Sequence, residues 1–296
     1  MPDFLKVKCL KTGLYTSIQD EGRFGVQDQG IPISGALDKS SMRIANELVG
    51  NLPNSPVLEM TLFGPTFEFE GKGQIAITGA NMKATLNGNP IENYMTLNID
   101  SGDLLQFHNT DFGCRTYMSI GGQWQVQNWS NSFSALPSLM EEPGLPARLV
   151  DDYSFTVAIN QTQELISYPE RNRPLFSECY VIRVVTGPEF DQFEIEVIQD
   201  FFDRIFVIHG DSNRMGYRLK DNLQDYVPSG EEISSGIVIG TVQISNAGKP
   251  IILMADAQTT GGYPRIANVV SDDLEIVAQL KPGDELKFML VSLEEL

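Results

Sequence analysis

The chain has 296 residues, 42% hydrophobic and 20% charged, with a formal net charge of −18. That composition supports a real core in one large β domain or two ordinary domains, and it excludes a disordered chain. It also disfavours sustained binding to nucleic acid or an anionic membrane, because phosphate surfaces need a basic face and Lys and Arg form no dense cluster here.

No stretch approaches the roughly 18 apolar residues of a membrane span, and "MPDFLKVKCLKTG" has no signal-peptide core. Cys9, Cys114 and Cys179 are too widely spaced for a disulfide framework. The expectation is a cytoplasmic protein.

In chain order, "FLKVKCL" alternates as a strand. Asp38 is a plausible N-cap for a helix through "KSSMRIANELV" that stops at Gly50. "VLEMTL", "TFEFE", "QIAIT", "MKATL", "YMTLNI" and "DLLQF" read as short strands, with Asn87-Gly88 as a hairpin turn. From about Gln123 to Arg173 the periodicity fades. Trp124, Trp129, Phe133, Leu136 and Leu139 there either face a partner or form a lid over their own domain. Beyond it, "EIEVIQDFF" reads as a helix near Glu194 to Phe202, and a shorter helical turn begins at Ser271. Gly102–Phe107 and Gly283–Phe288 share the pattern G-D-x-L-x-F, an echo that suggests duplicated domains. The expected organisation is a β domain over 1–135, an irregular connection over 136–175 and a β domain over 176–296.

The common catalytic signatures are absent, including the phosphate-binding loop, the G-x-S-x-G elbow and H-E-x-x-H. His108 and His209 stand at strand ends, where a structural hydrogen bond explains them, and no metal site is expected. "NMKA" shares a Met-Lys with biotin attachment sites but lacks their flanks. Lys83 therefore reads as an ordinary strand residue, and no biotin attachment is expected on this chain.

Three polar loops remain. "TSIQDEGRFGVQDQGIPISGALD" sets Gln19, Asp20, Arg23, Gln27 and Asp28 among glycines. "GDSNRMGYRLK" places Arg214 and Arg218 four residues apart. "ADAQTTGGYPRIA" leaves an apolar run through Asp256, Gln258, Thr259, Thr260, Gly261, Gly262 and Tyr263. Its glycines permit positive φ and close approach of a ligand. Each loop alone reads as a turn or a locally paired surface loop. Together they supply the guanidinium groups, amides, hydroxyls and backbone N–H groups that carboxylate, phosphate or carboxyphosphate ligands need.

These loops, with "RIANELVGN" and "LEMTLFGPTFEF", resemble the allophanate-hydrolase-subunit-2-like proteins in order from about Phe4 to Val291. That family includes the C component of prokaryotic 5-oxoprolinase, KipA-type antagonists of a kinase inhibitor, and part of the carboxyltransferase region of urea carboxylase. The resemblance implies a mainly β fold of two cyclophilin-like β-barrel domains with a few short helices.

It further implies a non-autonomous hydrolase subunit. This would be the C component of an ATP-dependent 5-oxoprolinase, converting 5-oxo-L-proline to L-glutamate with an A-type and a B-type (KipI-like) partner. ATP would be bound or used by the assembled complex. Alternatives are a KipA-type regulatory binding protein and a carboxyltransferase component of urea amidolyase type.

On this reading Arg23, Arg214 and Arg218 are charge clamps, and Gln19, Gln258, Thr259 and Thr260 position the substrate beside Gly261, Gly262 and Tyr263. Asp20 or Asp256 is the proton acceptor, with Arg214 in the catalytic set. Glu59 faces a barrel interior or forms a structural ion pair. The chain departs from the family pattern in "QWQVQNWSNSFS", which lacks an arginine common there, and at Ala257, where Arg is common.

Overall fold

The computed structural model describes residues 3–136, 146–159, 163–228, 233–292 and 294. The chain divides into two units. Unit 1 comprises Met1–Arg23 and Ser34–Phe176, and unit 2 comprises Phe24–Ile33 and Ser177–Leu296.

Unit 1 begins with β1 (Phe4–Lys11), β2 (Tyr15–Gln19), α1 (Lys39–Leu48), β3 (Val57–Thr61), β4 (Thr66–Glu70) and β5 (Gly73–Gly79). The short β6 (Thr85–Leu86) and β7 (Asn89–Pro90) follow, then β8 (Thr96–Ile99) and β9 (Leu104–Gln106). The unit closes with β10 (Arg115–Ile120), β11 (Gln123–Trp124) and β12 (Ser154–Ala158). These strands form two sheets, in the orders β11-β12-β1-β4-β9-β6-β7 and β2-β3-β10-β5-β8.

Alternation decides what is buried. Leu5, Val7 and Cys9 of β1 join Phe67 and Phe69 of β4 in one core with Leu58, Met60, Ile75, Ile77 and Met118 of the other sheet. Each such side chain contributes roughly 1.5–3 kcal/mol when fully buried. Burial pushes the Cys9 thiol up to about 12. β5 and β10 are buried along their whole length, and Met42 and Ala45 of α1 pack with Val57 and Tyr117. The helix starts where its cap predicts: the Asp38 side chain accepts the Ser41 N–H, and Gly50 follows its end at φ 68°.

Asn87 and Gly88 have φ 52° and 80°, the two positive values of a type I′ hairpin turn between β6 and β7. Lys83 departs from its expected strand. It has φ 49° in the irregular segment before β6 and pairs with Asp111 at 2.8 Å. The central connection is partly a strand: β12 pairs with β1 from Phe4↔Ala158 to Lys8↔Ser154. Trp124 stacks on Phe155 at 4.8 Å, Leu136 is buried, and Phe133 packs against the same core. These residues cover their own unit. Leu139 lies outside the described residues.

Unit 2 contains β13 (Cys179–Thr186), α2 (Ile195–Asp203), β14 (Phe206–Val207), β15 (Gly216–Arg218), β16 (Ser235–Gly236) and β17 (Thr241–Ile244). It continues with β18 (Pro250–Leu253), β19 (Thr260–Gly261), β20 (Arg265–Val269), α3 (Leu274–Ala278) and β21 (Glu285–Leu290). Its main sheet runs β14-β21-β13-β20-β17-β18-β15, and β16 and β19 make a separate ribbon. Phe201 of α2 stacks on Phe288 of β21 at 4.5 Å, with Phe206 packed against both.

The G-D-x-L-x-F echo is one turn used twice. Gly102 and Gly283 have φ 90° and 97°. Asp103 accepts the Asp100 N–H at 2.8 Å, and Asp284 accepts the Lys281 N–H at 2.9 Å. The Leu and Phe that follow are buried in both units. The chain is thus mainly β, built from curled sheets with three short α-helices among the described residues, as the resemblance implied. No helix among them is long and apolar enough to cross a membrane.

Candidate functional site

The first polar loop folds onto unit 1. Asp20, at the end of β2, is buried. Its Oδ1 accepts from the Ser132 hydroxyl at 2.7 Å, the Gly22 N–H at 2.8 Å and the Ser134 hydroxyl, and its Oδ2 accepts the Phe133 N–H at 2.6 Å. Four donors fill the lone-pair directions that a proton acceptor would use.

Arg23 is fully buried. It donates to the carbonyls of Trp129 at 3.2 Å and Ser134 at 2.8 Å, and its guanidinium lies 4.6 Å from the Trp129 ring centre. Gln19 donates to Ser17 Oγ at 2.9 Å and to the Ala135 carbonyl at 3.4 Å. These contacts tie β2 to residues 129–135.

A second buried network surrounds Glu59. Its Oε2 accepts from the Leu37 N–H at 2.9 Å and the Tyr117 hydroxyl at 2.8 Å, and Arg115 stands 3.6 Å from its Oε1. Tyr117 in turn accepts the Asp38 N–H at 2.8 Å. Burial, reinforced by the Glu59 charge, holds the Tyr117 phenol well above its ordinary pKa. Glu59 thus takes both expected places: it is interior and it is ion-paired.

The other two loops belong to unit 2. Arg214 and Asp256 form a buried two-pronged pair, Nε to Oδ2 at 2.8 Å and Nη2 to Oδ1 at 2.9 Å. Backbone bonds from Asp256 N to Arg214 O and from Met254 N to Met215 O, both 3.0 Å, join the same segments. This fork uses the guanidinium face that a ligand anion would need and the carboxylate that a general base would need. Arg218 is exposed on edge strand β15.

The glycines of "TTGGYP" act differently from the expectation. Neither Gly261 nor Gly262 has positive φ, and Gly261 is held extended in the β16–β19 ribbon, with Gly236↔Thr260 and Ser235↔Gly261 paired. Close approach is the reason for glycine at 261: a Cβ there would stand 2.8 Å from Gln243 Nε2.

The ribbon borders an open cleft of about 670 Å³. It is lined by Gln27, Asp28 and Gly30 of the Phe24–Ile33 segment, by residues 236–238, and by Thr259 and Thr260. Gln27 Oε1 accepts the Gly25 N–H at 3.0 Å and the Val26 N–H at 3.1 Å. That fixes the amide and leaves its NH₂ without a hydrogen bond among the described residues.

Of the site residues expected from the sequence, Thr259 and Thr260 line this cleft. Gly261 ends the ribbon strand that Thr260 begins, and Gly262 and Tyr263 follow it. Arg214, Asp256, Arg218 and Gln258 do not line it, and Gln19, Asp20 and Arg23 belong to unit 1. Among the described residues no group of three or more His, Cys, Asp or Glu could hold a metal ion.

Sequence reasoning missed the brace behind the cleft. Arg265 donates to the Gly236 carbonyl at 2.9 Å and to Glu189 at 2.7 and 2.5 Å. Its guanidinium holds the Glu189 carboxyl below the usual carboxylate range. No local pattern marks this pair, which is 76 residues apart in sequence.

The family described as carboxyltransferase domain, subdomain A and B, matches residues 29–290. The chain is 36% identical to the C subunit of 5-oxoprolinase from Escherichia coli, over 98% of this chain and 92% of that protein. It is 32% identical to the C subunit of 5-oxoprolinase from Haemophilus influenzae, over 100% of this chain and 93% of that protein. The crystal structure of the K. lactis urea amidolyase superposes with a TM-score of 0.87 at 29% identity, covering 97% of this chain and 19% of that chain. The chain belongs to the carboxyltransferase domain family, subdomains A and B.

Proposed function

We propose that the chain is the C component of an ATP-dependent 5-oxoprolinase, converting 5-oxo-L-proline to L-glutamate with A-type and B-type partners. The observation that carries this reading is correspondence over nearly the whole length of two chains, each named as the C subunit of 5-oxoprolinase. A match to one embedded domain of a larger enzyme would say less.

A lactam carbonyl is a poor electrophile, so its opening needs activation before water attacks. The cleft residues do not fit a triphosphate, because the one ionisable side chain among those described is the carboxylate of Asp28. ATP therefore belongs to the assembled complex rather than to this cleft. What the cleft residues can do is hold the amide: Thr259, Thr260 and the Gln27 NH₂ donate to a carbonyl, and Asp28 accepts an N–H.

The similarity to urea amidolyase favours one second reading, a carboxyltransferase component that meets a biotinyl carrier on another chain. Reconstitution with the A- and B-type partners separates the two. Glutamate formed from 5-oxoproline and ATP only when this chain is present supports the first reading. The same yield without this chain overturns it, and avidin-sensitive carboxylation would establish the second.

A further inference from the structure

Resting on that reading, we propose that the Thr259–Thr260 cleft takes the uncharged amide edge of a lactam. A lactam that also carries a carboxylate then needs a cationic group from a partner protein to complete the site. The lining is electrically one-sided: among the described residues Asp28 is its one ionisable side chain, and no Lys, Arg or His lines it. Arg214 is committed to Asp256 and Arg265 to Glu189.

The uncharged groups match an amide. The Gln27 NH₂ is oriented by two backbone N–H groups bound to its own oxygen, and Asp28 follows it in the same three-ten turn. A five-membered lactam holds its N–H and C=O on one edge, so an acceptor beside a donor reads that edge in register. In 5-oxoproline the carboxylate sits on the ring carbon bonded to that nitrogen. Donating the N–H to Asp28 therefore brings two carboxylates together, and at about 4 Å in a water-filled cleft this lowers affinity about fivefold unless a cation stands between them.

The test titrates the full-length chain alone with 2-pyrrolidinone and with 5-oxo-L-proline, observing threonine methyl groups by NMR. No ATP or turnover is involved, so the result is independent of whether the complex is a 5-oxoprolinase. 2-Pyrrolidinone is expected to shift the Thr259 and Thr260 methyls with a millimolar Kd. 5-Oxoproline is expected to bind about fivefold more weakly, with the gap closing at high salt and in Asp28→Asn. Thr259→Val should weaken 2-pyrrolidinone binding about fivefold or more without changing Tm. The proposal is overturned if 5-oxoproline binds the isolated chain as tightly as 2-pyrrolidinone. It is equally overturned if Asp28→Asn leaves the gap intact, or if 2-pyrrolidinone moves neither methyl.

Discussion

Asp20 in unit 1 and Asp28 in unit 2 stand eight residues apart in one glycine-rich loop, and the fold uses them in opposite ways. Asp20 is buried and encircled by two hydroxyls and two backbone N–H groups. Asp28 is exposed and lines the same cleft as Thr259 and Thr260, with no side-chain hydrogen bond among the described residues. A polar group with all its partners supplied by the chain stabilises the chain, while one left open beside a cleft is available to a ligand. Residue type and loop composition do not distinguish the two; the supply of partners does.

Asp20→Ala carries the largest expected effect. Removing the carboxylate strands the Ser132 and Ser134 hydroxyls and the Phe133 N–H, and buried donors left without an acceptor cost about 1–3 kcal/mol each, about 3–5 kcal/mol together once the hydroxyls turn elsewhere. For a unit of this size that lowers Tm by about 6–20 °C in calorimetry. A variant with wild-type Tm that has lost activity would instead place Asp20 in the chemistry.

Gly261→Ala comes next. Its new methyl meets the Gln243 amide, a side chain able to shift, so a cost of about 1 kcal/mol is expected in denaturant titration. A neutral result would remove close packing as the reason for glycine there.

Glu189→Gln tests the brace behind the cleft through pH. The folded-state pKa of Glu189 is depressed by Arg265. Its contribution is therefore present above the unfolded-state pKa and lost as pH falls through the folded one. Wild-type Tm should fall more steeply than that of the variant from about pH 5 toward pH 2. Parallel curves would show that the pair adds nothing.

The smallest effect is chemical. Cys179 is exposed while Cys9 and Cys114 are buried, and burial raises the Cys9 thiol pKa to about 12. A thiol reagent should label one cysteine in the native chain and three after unfolding. Rapid native labelling of Cys9 would contradict the packing of β1.

What the sequence disclosed follows the range of the forces involved. The α1 helix, its Asp38 cap and the Asn87-Gly88 hairpin are set by neighbours within a few residues, and they appear where the pattern puts them. The strand at 154–158 escaped notice because its five residues sit in an aperiodic stretch and gain their register from β1. Ser132 and Ser134 bind Asp20 across 112 and 114 residues, and no local signal announces them. The glycines of "TTGGYP" permit positive φ but neither adopts it, and pairing with β16 holds Gly261 extended. Thr259 and Thr260 stood out from the sequence, while the Gln27 and Asp28 contribution depends on Phe24–Ile33 clustering with the C-terminal unit. That pairing is a property of the fold alone.

The most direct measurement of the central claim is the kcat/KM for 5-oxoproline of a reconstituted complex carrying Thr259→Val, with Tm recorded on the same sample. The account predicts a fall in kcat/KM of roughly tenfold, the loss of one substrate hydrogen bond, with Tm unchanged. An unaltered kcat/KM in a fully folded complex would contradict it and return the Thr259–Tyr263 segment to a purely structural ribbon.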